Sequence, residues 1–313
     1  MCSRQSNKMT SHEEVSFQTL DGLTLRGTLY LAGRPNSPAI IITPGFNVTR
    51  DVLLPRIAQR FQRDGISALI YDPRTIGSSD GNPRNDINPA QQATDYHDAL
   101  TFLKTDGRVD PERIAYWGFS FGGAVALAAA ALDKRAKAVI SVCPLTHWDL
   151  DESKWRGVMT KAMQDRESQL SGNGAFSLPM ITDRGVNPAG FSSGMGASEL
   201  GLVAEARKIP GFNLNTTIQT YYNIMAWSPF KLLRFLAPTP VLMVTPEDDR
   251  ISPLADQKEL IYNRIQSRKQ MYVVPKKGHM DVLDGESFET VMEVQVTFIR
   301  QCLGSEDAQS AER

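Results

Sequence analysis

The stretch IAYWGFSFGGAVALAAAA, residues 114 to 131, joins two hydrophobic patterns at a single serine. Ile114 to Trp117 read as a short buried strand, and Phe121 to Ala131 as an alanine-rich helix. Between them, Gly118-Phe119-Ser120-Phe121-Gly122 spells the pentapeptide G-x-S-x-G. A chain turning this sharply from strand to helix strains the serine backbone, and side chains two residues away would collide, so glycines stand there. The turn lifts the serine hydroxyl above the sheet. The Phe121 N–H, at the helix start, then faces a place where the helix dipole favours negative charge. Ser120 is the candidate nucleophile and Phe121 N–H a candidate oxyanion donor.

Outward from this turn the chain alternates strands and helices. Val15 to Leu31 holds two alternating runs around Asp21-Gly22, a hairpin signal. Ala39 to Thr43, AIIIT, is a continuous apolar run expected of a strand buried on both faces. A helix is expected from about Asp51 to Arg63, a strand over Ser67 to Asp72, and a helix from Pro89 to Leu103. Past the serine helix come strands over Lys137 to Cys143, Pro240 to Thr245 and Gln270 to Pro275. Helical stretches follow near Pro253 to Ile265 and Phe288 to Cys302. Such alternation predicts an α/β fold: a mostly parallel sheet covered on both sides, with an antiparallel hairpin at its N-terminal edge.

The rhythm breaks over 149–226, after the sixth strand. DESKWRGVMTKAMQDRESQL reads as helix, Ser171 to Gly196 turns to glycine-rich sequence, and Glu199 to Lys208 and Asn215 to Met225 read as further helix. Linkers lack aromatics to bury, whereas this segment carries Trp155, Phe176, Phe191, Phe212, Tyr221 and Tyr222. It is expected to fold as a mainly helical cap over the sheet. The expected layout is therefore a disordered tail over 1–12, a core over 13–148 and 227–303, the cap, and a polar tail over 304–313.

A serine nucleophile needs a base and a group that orients the base. The four histidines are His12 in the expected tail, His97 on a helix flank, His147 at the root of the cap, and His279. His279 follows the last strand in VVPKKGHMD, a loop at that strand's C-terminal end, and is the favoured base; His147 is its rival. VTPEDDRISP, after the preceding strand, supplies Asp248 and Asp249 as candidate acids.

With serine, acid and histidine in this order, the chain resembles an α/β-hydrolase along its whole length outside the cap. In that fold the acid commonly stands four residues before a proline, which implies Asp249, with Pro253 as the marker. The resemblance also implies a second oxyanion donor, Phe46 N–H, from the loop TPGFN after AIIIT, although Thr43-Pro44 stands where many relatives carry His-Gly. The strings YDPRTIGSSDGNPRNDINPAQQATDYHDALTFL, WGFSFGGAVALAAAALDKRAKAVISVCPL and KGHMDVLDGE are similar to a group of fungal polyketide transferases and polyketide thiohydrolases. That likeness implies a serine hydrolase or acyltransferase of secondary metabolism. It would take an acyl chain from a thioester, on a polyketide synthase carrier domain, and release it to water or an alcohol.

Rival readings are a general carboxylesterase or peptidase, a cyclase or lyase working without an acyl-enzyme, and a binding protein that kept the fold without catalysis. A formal net charge of −1 carries no footprint for nucleic acid. No apolar run approaches 18 residues, so no membrane partner is expected. Three widely spaced cysteines, Cys2, Cys143 and Cys302, without CxxC spacing argue against a disulfide framework or a zinc site and favour a cytoplasmic location. No cofactor or metal is implied, and self-association stays open.

Overall fold

The computed structural model describes residues 12–191 and 195–304. The tails expected over 1–11 and 305–313, with Cys2, lie outside the described residues. In chain order the larger elements are β1 His12–Gln18, β2 Thr24–Tyr30, β3 Ser37–Thr43, α1 Leu54–Arg63, β4 Ser67–Tyr71, α2 Pro89–Thr105, β5 Val109–Phe119, α3 Phe121–Leu132 and β6 Val139–Val142. The segment 149–226 contributes α4 Trp155–Leu170, β7 Ser177–Pro179, α5 Ala197–Ala206, β8 Asn215–Thr217 and α6 Ile218–Met225. Then follow β9 Val241–Pro246, α7 Leu254–Asp256, β10 Lys269–Val274 and α8 Ser287–Leu303.

Eight strands form one sheet in the order β1-β2-β4-β3-β5-β6-β9-β10. The β1/β2 and β2/β4 pairs are antiparallel and the rest parallel. The all-apolar reading of β3 has a simple geometric basis. Side chains alternate faces along a strand. Ile40 and Ile42 enter the core shared with Phe61 of α1 and Val291 and Phe298 of α8. Ala39 and Ile41 enter the opposite core, with Leu100 of α2 and the alanines of α3. A strand apolar on both faces can only sit inside a two-sided sandwich. The small side chains let α3 approach the sheet centre, where Gly122 to Ala131 are buried.

Several expectations are corrected. His12 is not in a tail: it opens β1 opposite Tyr30 and stacks on that ring at 5.2 Å. The strand before Ser120 begins at Val109 rather than Ile114, because Val109 pairs with Ser37 ahead of an irregularity in the ladder. The helix read from Asp51 starts at Leu54, after Leu53 with φ 68°. Asn215 to Thr217 is strand, not helix. The Thr217 side chain accepts from Thr220 N–H and caps α6, which fixes the helix start at Ile218. The stretch from Pro253 to Ile265 is not one regular helix. A single α turn, Leu254–Asp256, widens to a π turn over Gln257–Ile261 and tightens to a 3₁₀ turn over Tyr262–Arg264.

The chain leaves β3 toward one sheet edge, to β4, and leaves β5 toward the other, to β6. Where strand order reverses like this, the loops beyond the two strands diverge and open a crevice at their C-terminal ends. The loop after β3 carries Phe46, and the turn after β5 carries Ser120.

Candidate active site

Ser120 occupies φ 55° and ψ −117°, a strained backbone for a residue with a side chain. Its N–H donates to Val142 O at 2.8 Å, tying the turn to the neighbouring strand. The flanking glycines are sterically required. A Cβ on Gly118 would lie 2.0 Å from Gly122 O, and one on Gly122 would lie 2.2 Å from Pro44 O. Close approach at Gly122 also brings the loop after β3 against the turn. Thr43, in the place where histidine is more usual, holds that loop's root through its hydroxyl on Tyr96 OH, which in turn donates to Trp117 O at 2.7 Å.

His279 Nε2 lies 2.7 Å from Ser120 Oγ, and its Nδ1 lies 3.0 and 2.9 Å from the two oxygens of Asp249. A carboxylate only accepts, so Nδ1 carries the proton and Nε2 is left to accept from the serine. Asp249 is itself held by four donors. Ile251 N and Ser252 N reach Oδ1 at 2.9 and 2.8 Å, Gln257 Nε2 reaches Oδ2 at 3.1 Å, and the imidazole takes the remaining lone pairs. Gln257, fully buried, is oriented by Thr245 Oγ1, which donates to its Oε1, and by Ser252 O, which accepts from its Nε2. Gln257 is the first residue of the π turn. Sequence reasoning missed Gln257, since nothing in the pattern around it marks a buried amide.

Asp248, adjacent in sequence, is exposed, and its N–H donates to Lys277 O. His147 is also exposed and lies 3.2 Å from Asp256, away from Ser120. Cys143 sits behind His279 with Sγ 3.6 Å from its backbone oxygen. Burial and the nearby Asp249 charge push this thiol well above its ordinary range, so it stays neutral.

Ser120 and His279 open into a cavity of about 630 Å³. Phe46, Phe119 and Phe121 wall it near the serine; the Phe46 ring packs 5.4 Å from Phe121 and 5.3 Å from Phe191. Met180, Ile181, Phe191, Val203, Ile209 and Phe212 bring the segment 149–226 onto the opposite wall. Charged groups, among them Glu205, Lys208 and Asp284, are few in the lining. A cavity this apolar suits a hydrocarbon chain.

A family model described as the alpha/beta hydrolase fold matches residues 38–286. The chain belongs to that family. This α/β-hydrolase is 45% identical over 306 residues to a thiohydrolase of Eupenicillium brefeldianum, covering 97% of this chain and 99% of the relative. It is 43% identical to a polyketide transferase of Aspergillus fumigatus, covering 94% and 99%. Among solved structures, an α/β hydrolase from Penicillium sp. superposes with a TM-score of 0.87 at 40% identity, covering 94% of this chain and all of that one. The α/β-hydrolase reading of the sheet, hairpin and helices therefore stands.

Proposed function

We propose that this α/β-hydrolase removes a polyketide acyl chain from a thioester and delivers it to water or an alcohol. Ser120, His279 and Asp249 act as nucleophile, base and orienting acid. The observation that carries this reading is the unbroken line of contacts from Asp249 through His279 to Ser120, ending at the floor of an apolar cavity. Thiohydrolase and polyketide transferase relatives matching nearly the whole chain support the substrate class.

In the first half-reaction Ser120 Oγ attacks the thioester carbonyl while its proton passes to His279 Nε2. Phe46 N–H and Phe121 N–H hold the oxyanion; the latter is among the first N–H groups of α3, which have no partner within the helix. Collapse expels the thiolate, which takes the proton from His279 and leaves a serine ester. Water or an alcohol then gives its proton to His279, attacks the ester, and releases acid or ester product as Ser120 regains its proton. The segment 149–226 acts as a cap that excludes bulk water from the ester. The thioester is carried on a synthase carrier domain whose arm enters the cavity. We place the reaction in the cytoplasm: no helix among the described residues is long and apolar enough to cross a membrane, and Cys143 and Cys302 are free thiols.

A fluorophosphonate should label Ser120 alone, as located by peptide mass mapping, and single-turnover acylation should favour an octanoyl over an acetyl thioester. The longer chain adds six methylenes, each contributing about 0.8 kcal/mol when fully buried. Realising a third of that total already gives more than a tenfold preference. Label on another serine, or equal rates for the two chains, would overturn the reading.

A further inference from the structure

Three asparagines far apart in sequence meet beside the oxyanion loop. Asn85 Nδ2 donates to Asn47 Oδ1 at 2.8 Å, and Asn213 Nδ2 donates to Asn85 Oδ1 at 3.1 Å. Asn47 Nδ2 donates to the backbone oxygens of Asn213 and Asn215 at 2.8 and 3.1 Å. The amide orientations are forced from both ends. Asn215 N–H occupies Asn213 Oδ1 at 3.0 Å, so Asn213 must present its NH₂ to Asn85. At the other end two carbonyls, which only accept, demand the NH₂ of Asn47. Asn85 between them can satisfy both neighbours in one orientation only.

Each asparagine belongs to a different part of the site. Asn47 follows Phe46, at φ 56°, a left-handed conformation that asparagine tolerates better than most residues. Asn85 lies in the loop between β4 and α2, whose Asp72 also holds the oxyanion loop by accepting from Arg50 N–H at 2.9 Å. Asn213 follows the wall residue Phe212, and nearby Thr216 Oγ1 donates to Asn85 O at 2.7 Å. The Asn47 side chain is buried and lies within reach of Met180, another wall residue.

We propose that Asn47 is a positioning residue that holds the Phe46 N–H in register with Ser120 by clasping the oxyanion loop to the segment 213–215. The proposal rests on the nucleophile reading of Ser120. The clasp anchors the chain one residue beyond the Gly45–Phe46 peptide, which carries the donor N–H, and Gly45 lies against the serine: a Cβ there would be 3.6 Å from Ser120 Cβ. A shift of this loop removes one oxyanion donor, while the walls supplied by Phe119, Phe121, Met180, Ile181 and Phe191 stay in place.

The test compares two inhibitors with the same heptyl chain. A trifluoromethyl ketone forms a tetrahedral adduct with the serine and needs the oxyanion donors; the matching methyl ketone binds without forming one. In Asn47→Asp, the carboxylate keeps the contact from Asn85 but faces the carbonyls of residues 213 and 215 without a proton. The trifluoromethyl ketone and kcat should each weaken about 100-fold, as for loss of one oxyanion donor. KM and the methyl ketone should stay within about threefold. Protonation of the introduced carboxylate restores a donor, so the ratio of variant to wild-type activity should rise as pH falls. Asn213→Ala, at an exposed position, should give the same selective weakening at about fivefold, corresponding to one hydrogen bond. Parallel weakening of both ketones, or of neither, in the two variants overturns the clasp. If Ser120→Ala binds the trifluoromethyl ketone as tightly as wild type, the nucleophile reading fails first and the clasp proposal falls with it.

Discussion

Asp249→Asn isolates the role of the carboxylate because its surroundings leave the amide one way to sit. Ile251 N–H and Ser252 N–H both point at Oδ1, so that position must remain an oxygen. The new NH₂ then replaces Oδ2 and meets two donors, Gln257 Nε2 at 3.1 Å and His279 Nδ1 at 2.9 Å. Gln257 cannot turn over to help. Its Nε2 is committed to Ser252 O, and a flip would set two carbonyl oxygens together. Oδ1, 3.0 Å from Nδ1, already accepts from two backbone N–H groups, so the imidazole yields by moving its proton to Nε2, where it faces Ser120 Oγ and can no longer accept. The equivalent exchange in a protease triad lowers turnover about 10⁴-fold, close to 5.5 kcal/mol, by this same tautomer trap. The remaining donor–donor contact with Gln257 leaves a buried group unpaired and costs roughly 1–3 kcal/mol of stability. Single-turnover acylation with an octanoyl thioester measures the first effect, and denaturant midpoints the second. Asp248→Asn, on an exposed side chain, should stay within about twofold of wild type. An Asp249→Asn rate within tenfold of wild type, or an Asp248→Asn rate below it, would refute the reasoning.

His279→Ala should match Ser120→Ala in residual thioester turnover within about threefold, because members of such a unit fail together; a His279→Ala enzyme retaining a tenth of normal activity would contradict this. Gly122→Ala places a methyl group 2.2 Å from Pro44 O, a backbone atom that cannot swing aside. Acylation should fall at least tenfold through displacement of the oxyanion loop, and wild-type rates would show that the loop is free to adjust. Arg74, buried between Asp95 and the half-exposed Asp21, neutralises the fully buried Asp95. Removing it in Arg74→Ala should cost about 3–5 kcal/mol at neutral pH by stranding a buried charge. Burial lifts Asp95 to about 6 even against the pull of Arg74, and loss of the guanidinium lifts it further. A raised carboxyl favours folding below its unfolded value near 4 and loses that contribution as pH rises through the folded value. The stability gap between variant and wild type should therefore be wider at pH 8 than at pH 5.5, and equal gaps in chemical denaturation at the two values would contradict the assignment.

What the sequence determined alone is what short-range physics dictates. A serine in a strained strand-to-helix turn needs glycines at positions 118 and 122, and that demand is written within five residues. Uninterrupted apolar runs such as AIIIT reveal a strand covered on both faces, because each face must be dry. His279 was legible from its place after the last strand. The choice between Asp248 and Asp249 was different: adjacent residues in a turn point opposite ways, and the sequence alone left both open until the proline spacing of the resembled fold selected one. Tertiary structure brought Asp249 onto His279, buried Gln257 against Asp249, and set Asn47 against residues 213 and 215. Those meetings join positions whose separation is set by the packing of whole elements. No periodicity or local propensity records such a distance, so they became visible only once the chain was folded.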